Sequence, residues 1–397
     1  MSEFTHKEPM QGLLPVKAYT TQEWFDKEKR ELFGKSWNYA GMVTDLPNYG
    51  DYMTIQVGSY PIFIIRGEDN ALHAYHALCR HRGAQLLRAR GNKKKCIVCP
   101  YHNWSYSIGG DLLNIPQEKT QYQDQAIDKS ALGLHKASLA IWRGMLFVHP
   151  DKNAPSFEEW LDDVPNHMGP HIPEKLVEYK DAQMEYTVDA NWKILVENFI
   201  DGYHLQHLHA QTLNMYKHSQ QQWSFQGRHW VFYEPPTEEY KKVLHSASAF
   251  PVIDHVPEEK YGAFLQVYFP NFGVIETESS WSTFEVIPIA PEKTQLKIRV
   301  WAMPMSKVKQ YTQLWKYYGY WSDKMKKPKD GYDPDDPLHS GDFMKEDIFA
   351  CEQQQLAMHS PLYSSGPFAK DEQSILHFQQ HILNALSNEK GISNPST

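Results

Sequence analysis

The sequence predicts an α+β protein of two domains, an antiparallel β domain followed by a mixed domain of helices and a second antiparallel sheet. Three observations carry this. Short apolar runs separated by turns fill residues 50 to 150, long apolar-rich stretches return between 260 and 304, and helix-patterned segments rich in carboxylates and histidines flank the second group. A chain of 397 residues has room for two cores.

In chain order, Thr21-Gln22-Glu23-Trp24-Phe25 opens a helix with Thr21 as N-cap and a Glu close behind, running to Leu32-Phe33. The runs Tyr60-Pro61-Ile62-Phe63-Ile64-Ile65 and Gly144-Met145-Leu146-Phe147-Val148 are strands of the β domain. A polar, Pro-rich passage from Pro150 to Pro173 marks the domain boundary. Three long strands follow, at Phe264–Phe269, Trp281–Ile287 and Leu296–Trp301. The expected organisation is an N-terminal helical segment at 1–40, a first domain at 41–155 and a second at 156–397.

Composition narrows the function class. With 41% hydrophobic and 22% charged residues the chain reads as globular, and it has no apolar run long enough to span a bilayer. The opening Met1-Ser2-Glu3-Phe4-Thr5-His6 lacks the order of a signal peptide, so a cytoplasmic location is expected. Four cysteines are too few for a secreted disulfide framework. A net charge of −8 leaves no footprint for nucleic acid. The one basic run, Lys93-Lys94-Lys95, is a solvated loop on the simplest reading and a docking patch for an acidic electron donor on the other.

Two cysteine–histidine pairs stand out: Cys79-Arg80-His81 and, after 17 intervening residues, Cys99-Pro100-Tyr101-His102. Two thiolates on one iron and two neutral imidazoles on the other are the donor set of a Rieske [2Fe-2S] cluster. Zinc also selects Cys and His at short spacings, and Cys96 with Cys79, Cys99 and a histidine would make a Cys3His site. The wider segment resembles the Rieske family: Cys79-Arg80-His81-Arg82-Gly83, then Cys99-Pro100-Tyr101-His102-Asn103-Trp104, then Gly109-Gly110-Asp111-Leu112. Asn103 departs from it, since the family usually has Gly before the Trp. On this resemblance Cys96 is a bystander thiol.

The second constellation runs from Asn191 to His209 and includes Glu197, Asp201, His204, His207 and His209. On an ideal helix Glu197, Asp201, His204 and Leu208 share a face. His204 and His209 are five apart, about 140° around that helix. Both reach one metal only if the helix widens into a π-type turn or ends there, a distortion Gly202 would permit. Glu197-x3-Asp201-x2-His204-x4-His209 resembles the mononuclear iron motif of the Rieske non-heme iron oxygenases, and the resemblance covers nearly the whole chain. Such iron sites take two histidines and one carboxylate. The segment Lys345 to Gln353 resembles the family helix that supplies the carboxylate, which makes Asp347 the third ligand, with Glu346, Glu352 and Asp342 as competitors.

That resemblance implies a helix-grip (START-like) catalytic domain whose sheet wraps a C-terminal helix and whose cavity holds the substrate over the iron. Trp223, Phe225, Trp230, Phe232, Tyr233, Tyr268 and Phe272 are candidates for its wall, most of them core. The implied cofactors are a Rieske [2Fe-2S] cluster and mononuclear non-heme Fe(II), which together activate O2 with substrate bound. No Gly-x-Gly-x-x-Gly follows a strand and no flavin signature is present, so electrons come from a separate NAD(P)H-dependent reductase, directly or through a ferredoxin. In the family a ring of three subunits brings each cluster beside a neighbour's iron. Asp201 matches the bridging acid, which would bond His204 of its own chain and His102 of the adjacent one. Hydroxylation of an aromatic compound is the preferred reaction. The alternative is methyl hydroxylation of a quaternary ammonium or methylated amine (choline-, betaine- or carnitine-like), bound by the attraction of cations to ring faces. A non-enzymatic electron-transfer or zinc-stabilised interaction protein would leave the second constellation unused.

Overall fold

The computed structural model describes residues 10–123, 125–324 and 336–387. The N-terminal residues on which the signal-peptide expectation rests lie outside them. The chain divides into two units, Lys27–Trp160, and Met1–Asp26 with Leu161–Thr397. The segment expected at 1–40 is therefore not a piece of its own: its first part groups with the second unit and the rest with the first.

The helix expected at Thr21 forms as α1 (Gln22–Glu31), with Thr21 Oγ1 accepting from Trp24 N–H at 3.4 Å. In Lys27–Trp160 the strands are β1 (Asn38–Met42), β2 (Asp51–Val57), β3 (Tyr60–Arg66), β4 (Leu72–His76), β5 (Arg90–Asn92), β6 (Ile97–Val98), β7 (Ser105–Tyr106), β8 (Leu112–Asn114), β9 (Ser138–Trp142) and β10 (Met145–His149). They form three antiparallel sheets in the orders β4-β3-β2-β5, β1-β10-β9 and β6-β7-β8. Strand β3 explains why its sequence is an unbroken apolar run rather than an alternating one. Ile62, Phe63, Ile64 and Ile65 are all 0% exposed because both faces of the strand are covered. Ile62 and Ile64 face a core with Met53, Leu146 and Val148. Phe63 and Ile65 face a second core that includes Cys79, Cys99, Trp104 and Tyr106. Each such side chain contributes about 1.5–3 kcal/mol of burial, so one face of β3 anchors the cysteine loops.

The other unit holds an eight-stranded antiparallel sheet. Its strands are β11 (Val177–Glu178), β12 (Met184–Val188), β13 (Gln222–Gln226), β14 (His229–Glu234), β15 (Ala263–Tyr268), β16 (Phe272–Glu276), β17 (Trp281–Ala290) and β18 (Lys293–Ala302). Strands β13 to β18 follow one another across the sheet, and β11 and β12 both pair with β18. The expected strands correspond to β15, β17 and β18. The helices are α2 (Trp192–Ile200), α3 (Glu238–Ala247), α4 (Lys307–Lys324), α5 (Phe343–Ala357) and α6 (Gln373–Leu386). Phe378 on α6 packs edge-on against Trp192 at 6.1 Å and Phe269 at 6.0 Å, which ties the last helix to α2 and to the end of β15. No helix among the described residues is long and apolar enough to cross a membrane.

Candidate metal centres

Two backbone knuckles present the cysteine–histidine pairs, and both use the same hydrogen bonds. Cys79 N–H donates to Ala84 O and Gly83 N–H to Cys79 O, each at 2.9 Å; Cys99 N–H donates to Trp104 O at 2.8 Å and Asn103 N–H to Cys99 O at 3.1 Å. The fourth residue after each cysteine turns in the left-handed region, Gly83 at φ +73° and Asn103 at φ +56°. Asn enters that region at less cost than other side-chain-bearing residues. The Asn at 103 thus keeps the turn that a Gly would make.

The two thiols are buried and are hydrogen-bonding neighbours of each other. Burial pushes the Cys99 thiol up, while the N–H groups of Tyr101 and His102 that bond its sulfur act against this, as donors a thiolate would use. Tyr106 Oη lies 3.3 Å from Cys79 Sγ and accepts from Arg80 N–H at 3.0 Å. The His81 and His102 ring centroids are 4.7 Å apart, and His81 stacks on Trp104 at 4.8 Å. His81 Nδ1 is shielded from water and has no hydrogen-bond partner among the described residues. Burial pushes the His81 pKa down, which favours the neutral imidazole that metal ligation requires. With sulfur beside sulfur and ring beside ring, the four side chains fit a two-iron cluster. A single zinc would draw its four donors to within about 4 Å of one another. Among the described residues the group of three or more potential ligand atoms mutually within 4.8 Å is His204, His209 and Asp347, so Cys79, Cys96, Cys99 and a histidine do not converge on one point.

That second group is reached through α2, whose N-cap Asn191 accepts from Lys193 N–H at 3.0 Å. The helix stops at Ile200. Asp201 is extended, and its Oδ1 accepts from Tyr203 N–H at 2.6 Å before a single 3-10 turn at His204–Gln206. Of the two expected distortions it is the ending that occurs, so Glu197, Asp201, His204 and Leu208 share no helical face. The break brings the His204 and His209 rings to 5.1 Å. Gly202 serves close approach instead: a Cβ there would run into the side-chain amide of Gln221.

Both Nε2 atoms face Asp347 Oδ1, at 3.5 Å from His204 and 3.0 Å from His209. Behind the rings, His204 Nδ1 is 3.0 Å from Asp201 Oδ2 and His209 Nδ1 is 2.7 Å from Glu346 Oε2. Thr212 Oγ1 donates to Glu346 at 2.7 Å, and Asn198 Nδ2 donates to Asp347 Oδ1 at 3.2 Å. A neutral imidazole carries one N–H. With that proton on Nδ1 and given to a carboxylate, both Nε2 lone pairs are left beside Asp347, the donor set of non-heme Fe(II). Burial pushes the His209 pKa down, but Asp347 and Glu346 outweigh it and the net shift is upward.

The competitors for third ligand are engaged elsewhere. Glu346 backs His209, Glu352 Oε1 accepts from Asp189 N–H at 3.1 Å, and Asp342 caps α5 by accepting from Met344 N–H at 3.0 Å. Glu197 turns away to Tyr19 Oη at 2.7 Å and Gln379 Nε2 at 3.0 Å, and burial pushes its carboxyl up to about 7. His207 is exposed and outside the group.

A cavity of about 1820 Å³ opens on His204, His209 and Asp347. Of the seven aromatics singled out from the sequence, Trp230 and Phe232 line it. They alternate along β14, whereas Trp223 and Phe225 on β13 pack against His377 of α6. Sequence reasoning missed Tyr216, Tyr240, Tyr320, Trp321 and Glu278, which also line the cavity. They come from loops and helices that carry no motif.

Comparison with known proteins matches residues 36–133 to the Rieske [2Fe-2S] domain and residues 174–388 to the ring hydroxylating alpha subunit (catalytic domain). The glycine betaine monooxygenase oxygenase subunit of Chromohalobacter salexigens is 32% identical over 201 residues, 51% of this chain and 44% of that protein. The chain thus spans less than half the length of that relative. The chloroplastic choline monooxygenase of Amaranthus tricolor is 25% identical over 395 residues, 97% of this chain and 80% of that protein. Among solved structures, the quaternary ammonium Rieske monooxygenase CntA in complex with L-carnitine has the same fold, with a TM-score of 0.70 at 21% identity over 94% of this chain and 95% of that one.

Proposed function

This chain belongs to the ring hydroxylating alpha subunit family, carrying a Rieske domain ahead of its catalytic domain, and from that premise we propose that it is the terminal component of an oxygenase that hydroxylates a methyl group on a quaternary ammonium or methylated amine. The observation that carries the oxygenase reading is the convergence of His204 Nε2, His209 Nε2 and Asp347 Oδ1, with each imidazole backed by its own carboxylate. In this reading Cys79, His81, Cys99 and His102 hold the [2Fe-2S] cluster, and His204, His209 and Asp347 hold a mononuclear iron. Together these groups supply one-electron transfer and dioxygen activation when bound. One oxygen atom replaces a methyl hydrogen as hydroxyl, and the other leaves as water with two protons and two electrons from a separate NAD(P)H-dependent reductase or a ferredoxin. The setting is cytoplasmic and the assembly a homotrimer.

The chain's own residues fix orientation. Asp201 and Glu346 set the imidazole tautomers, and Asn198 keeps Asp347 turned towards both rings. Asp201 also has lone pairs left beyond the bonds from Tyr203 and His204, which supports a role as the acid that bridges to His102 of an adjacent chain. The ammonium substrate class is supported by the likeness to the glycine betaine and choline monooxygenases. Hydroxylation of an aromatic ring, preferred on sequence alone, becomes the second reading.

The test is product analysis with a generic reductase and a panel of trimethylammonium and aromatic compounds. Formaldehyde release from ammonium compounds, one for each methyl group lost and each O2 consumed, is expected. Diols from aromatic rings, with the ammonium compounds untouched, would overturn the substrate class.

A further inference from the structure

The cavity wall is unbalanced in charge. Among the described residues it carries Asp201, Glu234, Glu239, Glu278, Glu346 and Asp347, and no Lys or Arg. Asp201, Glu346 and Asp347 belong to the histidine cluster, Glu234 Oε2 is matched by His218 Nδ1 at 2.8 Å, and Glu239 is exposed. Glu278 differs from all of these. It sits in the turn between β16 and β17, is 1% exposed, and has no ion-pair partner among the described residues. Its Oε1 accepts from Tyr216 Oη at 3.4 Å, its Oε2 is shielded from water, and its neighbours among the described residues are neutral hydroxyl and N–H groups. Burial pushes the Glu278 carboxyl up, and the hydroxyls of Tyr240 and Tyr216 and the Gly262 N–H act against this. Such a carboxylate is costly unless a positive charge comes to it.

The surroundings fit one kind of charge. Tyr216 and Tyr240 stand edge to face at 6.0 Å beside Glu278, and Tyr320 and Trp321 line the same cavity. A hydrated ammonium or a metal ion needs oxygen ligands. A quaternary ammonium has no N–H or inner water to lose, and it gains from ring faces and from a carboxylate acting at a distance through a water-poor wall. An anionic aromatic acid would meet repulsion and no cationic partner among the described residues.

We propose that Glu278, framed by Tyr216 and Tyr240, is the counter-charge by which this cavity selects cationic methylammonium substrates over neutral molecules of the same shape. The inference deepens the proposed function and rests on it. Glu278 is no part of the His204, His209 and Asp347 group, so it acts as a specificity residue, not a catalytic one.

Binding is measured on the metal-loaded protein by calorimetry, with choline, tetramethylammonium and the neutral carbon isostere 3,3-dimethylbutan-1-ol. Wild type should bind choline at least roughly tenfold more tightly than the isostere, and Glu278→Gln should remove that preference while leaving affinity for the isostere unchanged. Equal affinity of wild type for choline and isostere overturns the proposal. So does a Glu278→Gln protein that keeps the preference, or one that loses both ligands alike, since the residue would then be structural. Turnover separates the two levels. If Glu278→Gln abolishes the preference but wild type oxidises no ammonium compound, the proposed reaction fails and the counter-charge stands; if ammonium turnover proceeds with unchanged KM in Glu278→Gln, the reaction stands and the counter-charge fails.

Discussion

Replacing Glu197 with Gln should stabilise the protein at alkaline pH and do almost nothing at acidic pH. Glu197 Oε1 accepts from both Tyr19 Oη at 2.7 Å and Gln379 Nε2 at 3.0 Å, and the amide oxygen of a Gln can accept the same two bonds. What changes is the charge. Burial raises the carboxyl from its ordinary 4.5 to about 7 in the folded chain. Below 4.5 the group is protonated folded and unfolded, so the wild-type chain suffers no penalty. Between 4.5 and 7 the unfolded chain releases its proton first, and wild-type stability falls as pH rises. Above 7 the loss is complete. At about 1.4 kcal/mol per pH unit it amounts to about 3 kcal/mol. Urea unfolding of both proteins at pH 5 and pH 8 measures it: the Gln variant should gain below about 1 kcal/mol at pH 5 and about 3 kcal/mol at pH 8. A gain equal at both pH values, or a loss at pH 8, would refute the argument that an ionised Glu197 is held there against its burial.

Glu346→Ala removes the acceptor behind His209 and should weaken iron binding about 10–100-fold in chelator competition, with the cluster absorption unchanged. Asp201→Asn keeps the shape but removes the charge facing His204, so both metals should stay while the reduced cluster reoxidises slowly in single turnover with substrate and dioxygen; fast reoxidation would leave this acid as a simple turn residue. His204→Ala and His209→Ala should each abolish turnover and spare the cluster spectrum, whereas His207→Ala, at an exposed position, should keep its iron. Cys79→Ser and His102→Ala should bleach a red-brown protein and Cys96→Ser should not; a colourless wild type with stoichiometric zinc would remove the cluster assignment.

Much of the site was legible because its chemistry sits in short spacings. The two cysteine–histidine pairs, His204 and His209 could be picked out before any coordinates. What periodicity could not do was choose between Glu346 and Asp347, neighbours on one helix that point to different sides of His209. It also carried the α2 pattern too far. Asp201 and Gly202 interrupt the helix through a side-chain bond to Tyr203 and a close approach to Gln221, neither of which has a period. Helix α6 does carry a periodic signal, since Ile375, Phe378, Ile382 and Leu386 are buried at helical spacing. Glu278 had no such signal, since its neighbours Tyr216 and Tyr240 come from a loop and from α3, far away in sequence.

The paired knuckles separate two kinds of evolutionary freedom. The bonds that close each turn run between backbone atoms, Cys79 with Gly83 and Ala84, Cys99 with Asn103 and Trp104. Apart from the ligands and the left-handed residue, the turns do not depend on which side chains they carry. Arg82 and Tyr101 use that latitude. They reach across from one knuckle to the other, with the guanidinium 5.6 Å from the ring centroid, and Tyr101 remains 58% exposed. Substitutions on the outward face of the cysteine–histidine tip should therefore leave the two turns beneath it in place.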